Sequence, residues 1–205
     1  LTTGDTNVAV GYNALKTEDA HGRNVAIGYL ALEDLNAGAE AENTVVGFAA
    51  GKNLTTGKQS VAIGSQALQA ETDGDYNVAV GYKSLYALTG ATGHNTAVGY
   101  AAADSLTTGS YNVAIGSGAL RTEDTGGRNI AIGYHAAQGL DYDGDGHNVA
   151  IGYYAGRYLT TGRQNILLGN NAGTALATTH YNIAIGHSAL FSEDSDGGNV
   201  AIGHN

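Results

Sequence analysis

The chain has 205 residues, with 9 Lys+Arg against 19 Asp+Glu, a formal net charge of −10, and no cysteine, proline or methionine. That balance excludes nucleic acid as a partner, because phosphate binding needs clustered cations. The lack of cysteine excludes disulfides, thiolate metal sites and thiol catalysis, and no apolar run approaches the ~20 residues of a membrane-inserting helix.

From the N-terminus onward, a five-residue motif close to Asn-Val-Ala-Ile-Gly recurs twelve times at a spacing of 17 to 19 residues. It opens at Asn7, Asn24, Asn43, Ser60, Asn77, Asn95, Asn112, Asn129, Asn148, Asn165, Asn182 and Asn199, and a glycine closes each copy, from Gly11 and Gly28 to Gly203. A short period running end to end is one supersecondary unit stacked on itself. The predicted class is all-β, a parallel β-solenoid (β-roll) of about 12 repeats, in a single continuous array over 1–205. The 32 glycines and absent proline fit tight turns between short strands. The missing methionine is what a piece of a longer fibre would show.

Within each predicted strand, bulky residues such as Val25 and Ile27 flank a small one such as Ala26, with Val45 and Leu167 as larger exceptions. Alternation sends the two sets to opposite faces. Both faces are then apolar, one bulky and one small, and such a strand calls for a partner beyond its own coil. The asparagines that open the copies would stack at the ~4.8 Å strand spacing, their amides bonding up the column or capping the turn as a structural ladder. Binding of a ligand by this row is the alternative.

After each glycine a second short element follows, as in Gly11-Tyr12-Asn13-Ala14-Leu15, and its alanine recurs in every copy up to Ala189 except at Ser84. Such a column implies close backbone approach. The rest of each repeat, for example Thr17-Glu18-Asp19-Ala20-His21-Gly22-Arg23, reads as polar loop. Helix is excluded by the absence of a sustained 3.6-residue period.

Leu-Thr-Thr-Gly opens at Leu1, Leu54, Leu106 and Leu159, so loop types return every third copy, and a duplication of 105 residues matches Lys16 with Arg121 and Lys58 with Arg163. Two coil shapes follow. In a narrow coil each motif makes its own turn; in a wide triangle three motifs share a turn of about 52 residues.

The strands and following alanine, as in Asn112-Val113-Ala114-Ile115-Gly116 and Ala119, resemble the head repeats of trimeric autotransporter adhesins. The longer unit, as in Asn7 to Leu15 together with Leu54-Thr55-Thr56-Gly57, is similar to repeats of phage-type tail-fibre proteins. The resemblance covers the whole array and implies a left-handed parallel β-roll with three chains about one axis, outside the cell or on a virion, binding a surface glycan or receptor. The 17-residue period is longer than the adhesin repeat, and no binding residue carries over.

Three patterns could bear chemistry. Asp141, Asp143 and Asp145 alternate along a glycine-rich loop, as a calcium site requires; the other reading is a solvated acidic loop. Asp73-Gly74-Asp75 and Asp194-Ser195-Asp196 are weaker echoes. Tyr12, Tyr29, Tyr82, Tyr100, Tyr134 and Tyr153 follow the motif glycine and form either a glycan-stacking strip or a structural ring ladder. The seven histidines show no paired zinc spacing. Repeated positions offer the same groups in every copy and assemble no nucleophile, base and orienter, so no enzyme activity is expected. The expected function is a stiff stalk or adhesin-head segment of an extracellular fibre, a homo-trimer or a self-assembling filament. Alternatives are a glycan- or calcium-dependent binding surface and an ice-binding solenoid, for which the threonine pairs are sparse.

Overall fold

The structure, a computed structural model, describes residues 6–18, 22–90, 93–192 and 197–204. The Leu-Thr-Thr-Gly copy at Leu1 and the acidic echo at Asp194 to Asp196 lie outside them. Each motif copy forms one three-residue strand, from β1 (Val8–Val10), β2 (Val25–Ile27) and β3 (Thr44–Val46) to β12 (Val200–Ile202). All twelve join one parallel sheet in strict chain order. No helix occurs among the described residues.

Register decides the coil. Val8, Ala9 and Val10 pair with Val25, Ala26 and Ile27, which pair in turn with Thr44, Val45 and Val46. Each step along the sheet is therefore one repeat. This is the narrow β-solenoid; in the wide triangle, strands would pair with partners about three repeats away, and none does among the described residues.

The two faces of the sheet differ as the alternation requires. Ala26, Ala62, Ala79 and Ala114 point inward and are buried, whereas Ile27, Ile63 and Ile115 are 38%, 40% and 37% exposed. Opposite the alanines stand leucines from the turns, such as Leu32, Leu68 and Leu120, and from the loops, such as Leu54, Leu88 and Leu106, all fully buried. A coil of so few residues encloses little volume, so large side chains from both walls cannot share it. Where the strand carries a larger residue, a glycine stands opposite. Val45 packs near Gly51, and a Cβ on Gly173 would stand 2.6 Å from Leu167 Cδ2.

The second element is a turn, not a strand, and its backbone alternates hand. Asn13 and Leu15 are left-handed (φ 54° and 53°), as are Leu30 and Leu32, and Lys83 and Leu85. Ladder bonding nevertheless continues through it: the Leu15 N–H donates upward to Ala31 O at 3.0 Å, and the Leu30 N–H downward to Tyr12 O at 2.9 Å. Bonds of this kind between coils offset the roughly 1 kcal/mol that each left-handed residue costs.

Candidate functional site

The asparagines of the motif are engaged inside the coil. Asn24 Oδ1 accepts the Asn43 N–H at 3.0 Å, Asn112 Oδ1 that of Asn129 at 3.0 Å, and Asn182 Oδ1 that of Asn199 at 3.0 Å. Their Nδ2 groups cross the interior to loop carbonyls, from Asn43, Asn95, Asn112 and Asn148 to the oxygens of Gly57, Gly109, Gly126 and Gly162, each at 2.9 Å. Ser60 keeps half of this: its hydroxyl accepts the Asn77 N–H at 3.1 Å. From Asn24 to Asn182 the column is buried, so its amides do not face a ligand.

The outer face of the sheet is the largest chemical feature. Two columns of Val, Ile and Leu run along it, interrupted in the strands only by Thr44 and Thr96. Beside them the aromatic residues after the motif glycine stack between coils. Tyr12, Tyr29 and Phe48 lie at successive centroid spacings of 5.4 Å, Tyr82 and Tyr100 at 5.5 Å, and Tyr134 and Tyr153 at 5.3 Å, with interplanar angles of 6° to 21°. Ser65 and Ser117 break the ladder into runs. Within each run the facing sides of neighbouring rings cover one another.

A second ladder, missed in the sequence, lies at the residue before the asparagine. Tyr76 and His94 lie 4.9 Å apart, tilted by 36°, His94 stacks on Tyr111 at 5.0 Å, and the Arg128 guanidinium closes the run 4.9 Å from the Tyr111 ring. Its signal was weak because the same column holds Glu42 and Gln59 in other copies.

The three aspartates of the candidate calcium loop each turn to a different partner. Asp145 Oδ2 accepts from Arg128 Nε at 2.8 Å, and Asp143 Oδ1 from the Thr125 hydroxyl at 2.7 Å. Asp141 instead meets Glu123 and Asp124 of the preceding coil, with one oxygen of each residue inside a mutual 4.8 Å. In the weaker echo, Asp75 Oδ1 accepts the Lys58 N–H at 2.7 Å.

The loop glutamates are what the sequence reading misplaced. Glu18, expected in a polar loop, is fully buried, as are Glu71 and Glu123. Each stands in the column that otherwise holds Leu54, Leu88, Leu106, Leu140 and Leu159. Burial pushes the Glu123 carboxyl up to about 7, against the pull of the nearby Gly126 and Tyr142 N–H groups, and the charges of Asp141 and Asp124 add to the rise. Partial desolvation, and then the Asp124 and Asp143 charges, raise Asp141 above the usual carboxylate range. Aligning the loops by the leucine column would have revealed all three glutamates.

Among the described residues no helix is long and apolar enough to cross a membrane. No family model, curated protein or solved structure matches the chain.

Proposed function

We propose that the chain is a rigid rod segment of an extracellular fibre, of the trimeric-adhesin or phage-type tail-fibre kind. Copies associate through the outer face of the sheet, and the rod presents loops or a distal tip to a surface. The observation that supports this reading is the face itself: half-exposed Val and Ile columns running over twelve coils. At ~4.8 Å per coil the face is about 53 Å long, and the Val, Ile and aromatic columns span about 15–20 Å across it. The strip is on the order of 900 Å², above the few hundred Å² that soluble monomers usually expose. It also matches the ~800 Å² that each partner gives to a stable interface. Three such faces turned to a common axis close symmetrically and leave no strip in water.

Stiffness comes from the same repeat. The coils are tied by the backbone ladder, by the buried asparagine column and by stacked rings, so bending the rod means breaking several bonds at once.

Sedimentation equilibrium on the whole chain tests the association. The wild type is expected at the mass of three chains. Ile63→Lys with Ile115→Lys, at half-exposed positions, is expected to give a single folded chain with an unchanged β spectrum. A soluble, stable wild-type monomer would sink the proposal, and a dimer would sink the count.

A further inference from the structure

We propose that Glu123, Asp124 and Asp141 form a calcium site that clips two successive coils together. The site differs from the loop of alternating aspartates, since only Asp141 is common to both, and it does not rest on the rod proposal.

Two groups of carboxylates carry the argument. Glu123 stands in a core column that is leucine in most coils; it is fully buried, its Oε1 accepts the Gly126 N–H at 2.7 Å, and its Oε2 has no hydrogen-bond partner. Asp124 and Asp141 occupy the adjacent column, in which Thr107 and Thr160 donate their hydroxyls to the carbonyls of Asp124 and Ala177 in the next coil at 2.8 and 2.9 Å. A carboxylate cannot make that bond, and Asp124 Oδ1 is buried with no partner of its own. Buried carboxylate oxygens left without a donor are what a bound cation would satisfy.

Charge points the same way. Three acidic groups converge, and among the described residues no Lys or Arg pairs with any of them; Arg121 is engaged by Asp104 at 3.6 Å and Arg128 by Asp145 at 2.8 Å. Stacked like charges on neighbouring strands destabilise a ladder unless something neutralises them. A hard divalent cation such as calcium does so, since carboxylate oxygens are its natural ligands. One oxygen of each of the three residues lies within 4.8 Å of the others, close enough for a calcium ion to draw them into one shell at its ~2.3–2.6 Å ligand distance. Asp141 is exposed, so water completes the shell from that side. The equivalent place at Glu71 offers Thr72 and Thr89 in place of the aspartates. It is a built-in control that should not bind.

The test uses the whole chain, with terbium as a luminescent probe sensitised by the adjacent Tyr142 and calcium as competitor. Saturable emission displaced by calcium, and a calcium-dependent rise in melting temperature, are expected. Asp124→Asn, Asp141→Asn and Glu123→Gln should each weaken binding about tenfold or more, while Glu71→Gln and Asp143→Asn leave it unchanged. The aspartate variants keep side-chain shape at positions that are not fully buried, so loss of binding with an unchanged β spectrum separates the ion from the fold. Binding that survives Asp124→Asn but fails with Asp143→Asn would move the ion to the aspartate loop and overturn the proposal. No binding at millimolar calcium would overturn it too, leaving carboxyls that share protons.

Discussion

Gly99 lies directly against Gly116 of the next coil: a Cβ on Gly99 would stand 2.6 Å from the Gly116 carbonyl oxygen, and its φ is +137°. The motif glycine is thus required twice, for the backbone conformation and for the distance between coils. Gly99→Ala is expected to destabilise the array by roughly 3 kcal/mol, the sum of backbone strain and overpacking. Gly38 offers the contrast, with φ +63° and nothing within 4 Å of a built Cβ. There the same change should cost only about 1 kcal/mol. Urea midpoints of the two variants check the difference, and equal losses would mean that the glycine column is not where the coils are closest.

The asparagine column invites a graded test. Asn112→Ala leaves the buried Asn129 N–H and the Gly126 carbonyl without partners, at an expected cost of about 2–4 kcal/mol. Asn112→Ser should lose about half as much, because the hydroxyl can accept the N–H as Ser60 does from Asn77, while the Gly126 carbonyl stays unpaired. Thermal unfolding of both variants measures the gap. If serine and alanine cost the same, the amide-to-backbone bond is not what holds adjacent coils in register.

The Asn, Ala and Gly columns were legible because each position in them is chemically constrained. The narrow coil was legible only as one of two options, since a period names the unit and not the number of units per turn. The left-handed turn residues were hidden for a physical reason: Leu32, Lys83 and Ala103 are not residues that favour positive φ. Inter-coil hydrogen bonds hold them there against local preference. Glu71 and Glu123 were hidden by their type. A glutamate in a glycine-rich segment reads as solvated, and only the leucines stacked above and below it show that the position faces the core.

Glu71 makes the fold pH-dependent, with a sign opposite to that of an ion-paired carboxylate. Burial raises its pKa above the usual 4.5, outweighing the N–H groups of Gly74, Thr72 and Asp73 that pull it down. The folded chain therefore holds this proton more tightly than the unfolded chain. The contribution to stability is fully present below about pH 4.5 and is lost as pH rises through the folded value. Glu123 is shifted the same way, so stability is expected to fall between about pH 4.5 and neutrality in calcium-free buffer. Glu71→Gln cannot ionise, yet its side-chain oxygen can still accept the N–H groups of Thr72 and Gly74, which now bond to Glu71 Oε1 at 2.9 Å each. The variant should flatten part of that slope and exceed the wild type in stability at pH 8, with no advantage at pH 4. Melting curves across this range decide the matter. A variant less stable than the wild type at pH 8 would show that the ionised carboxylate is held favourably by those N–H groups, and that the leucine column tolerates its charge.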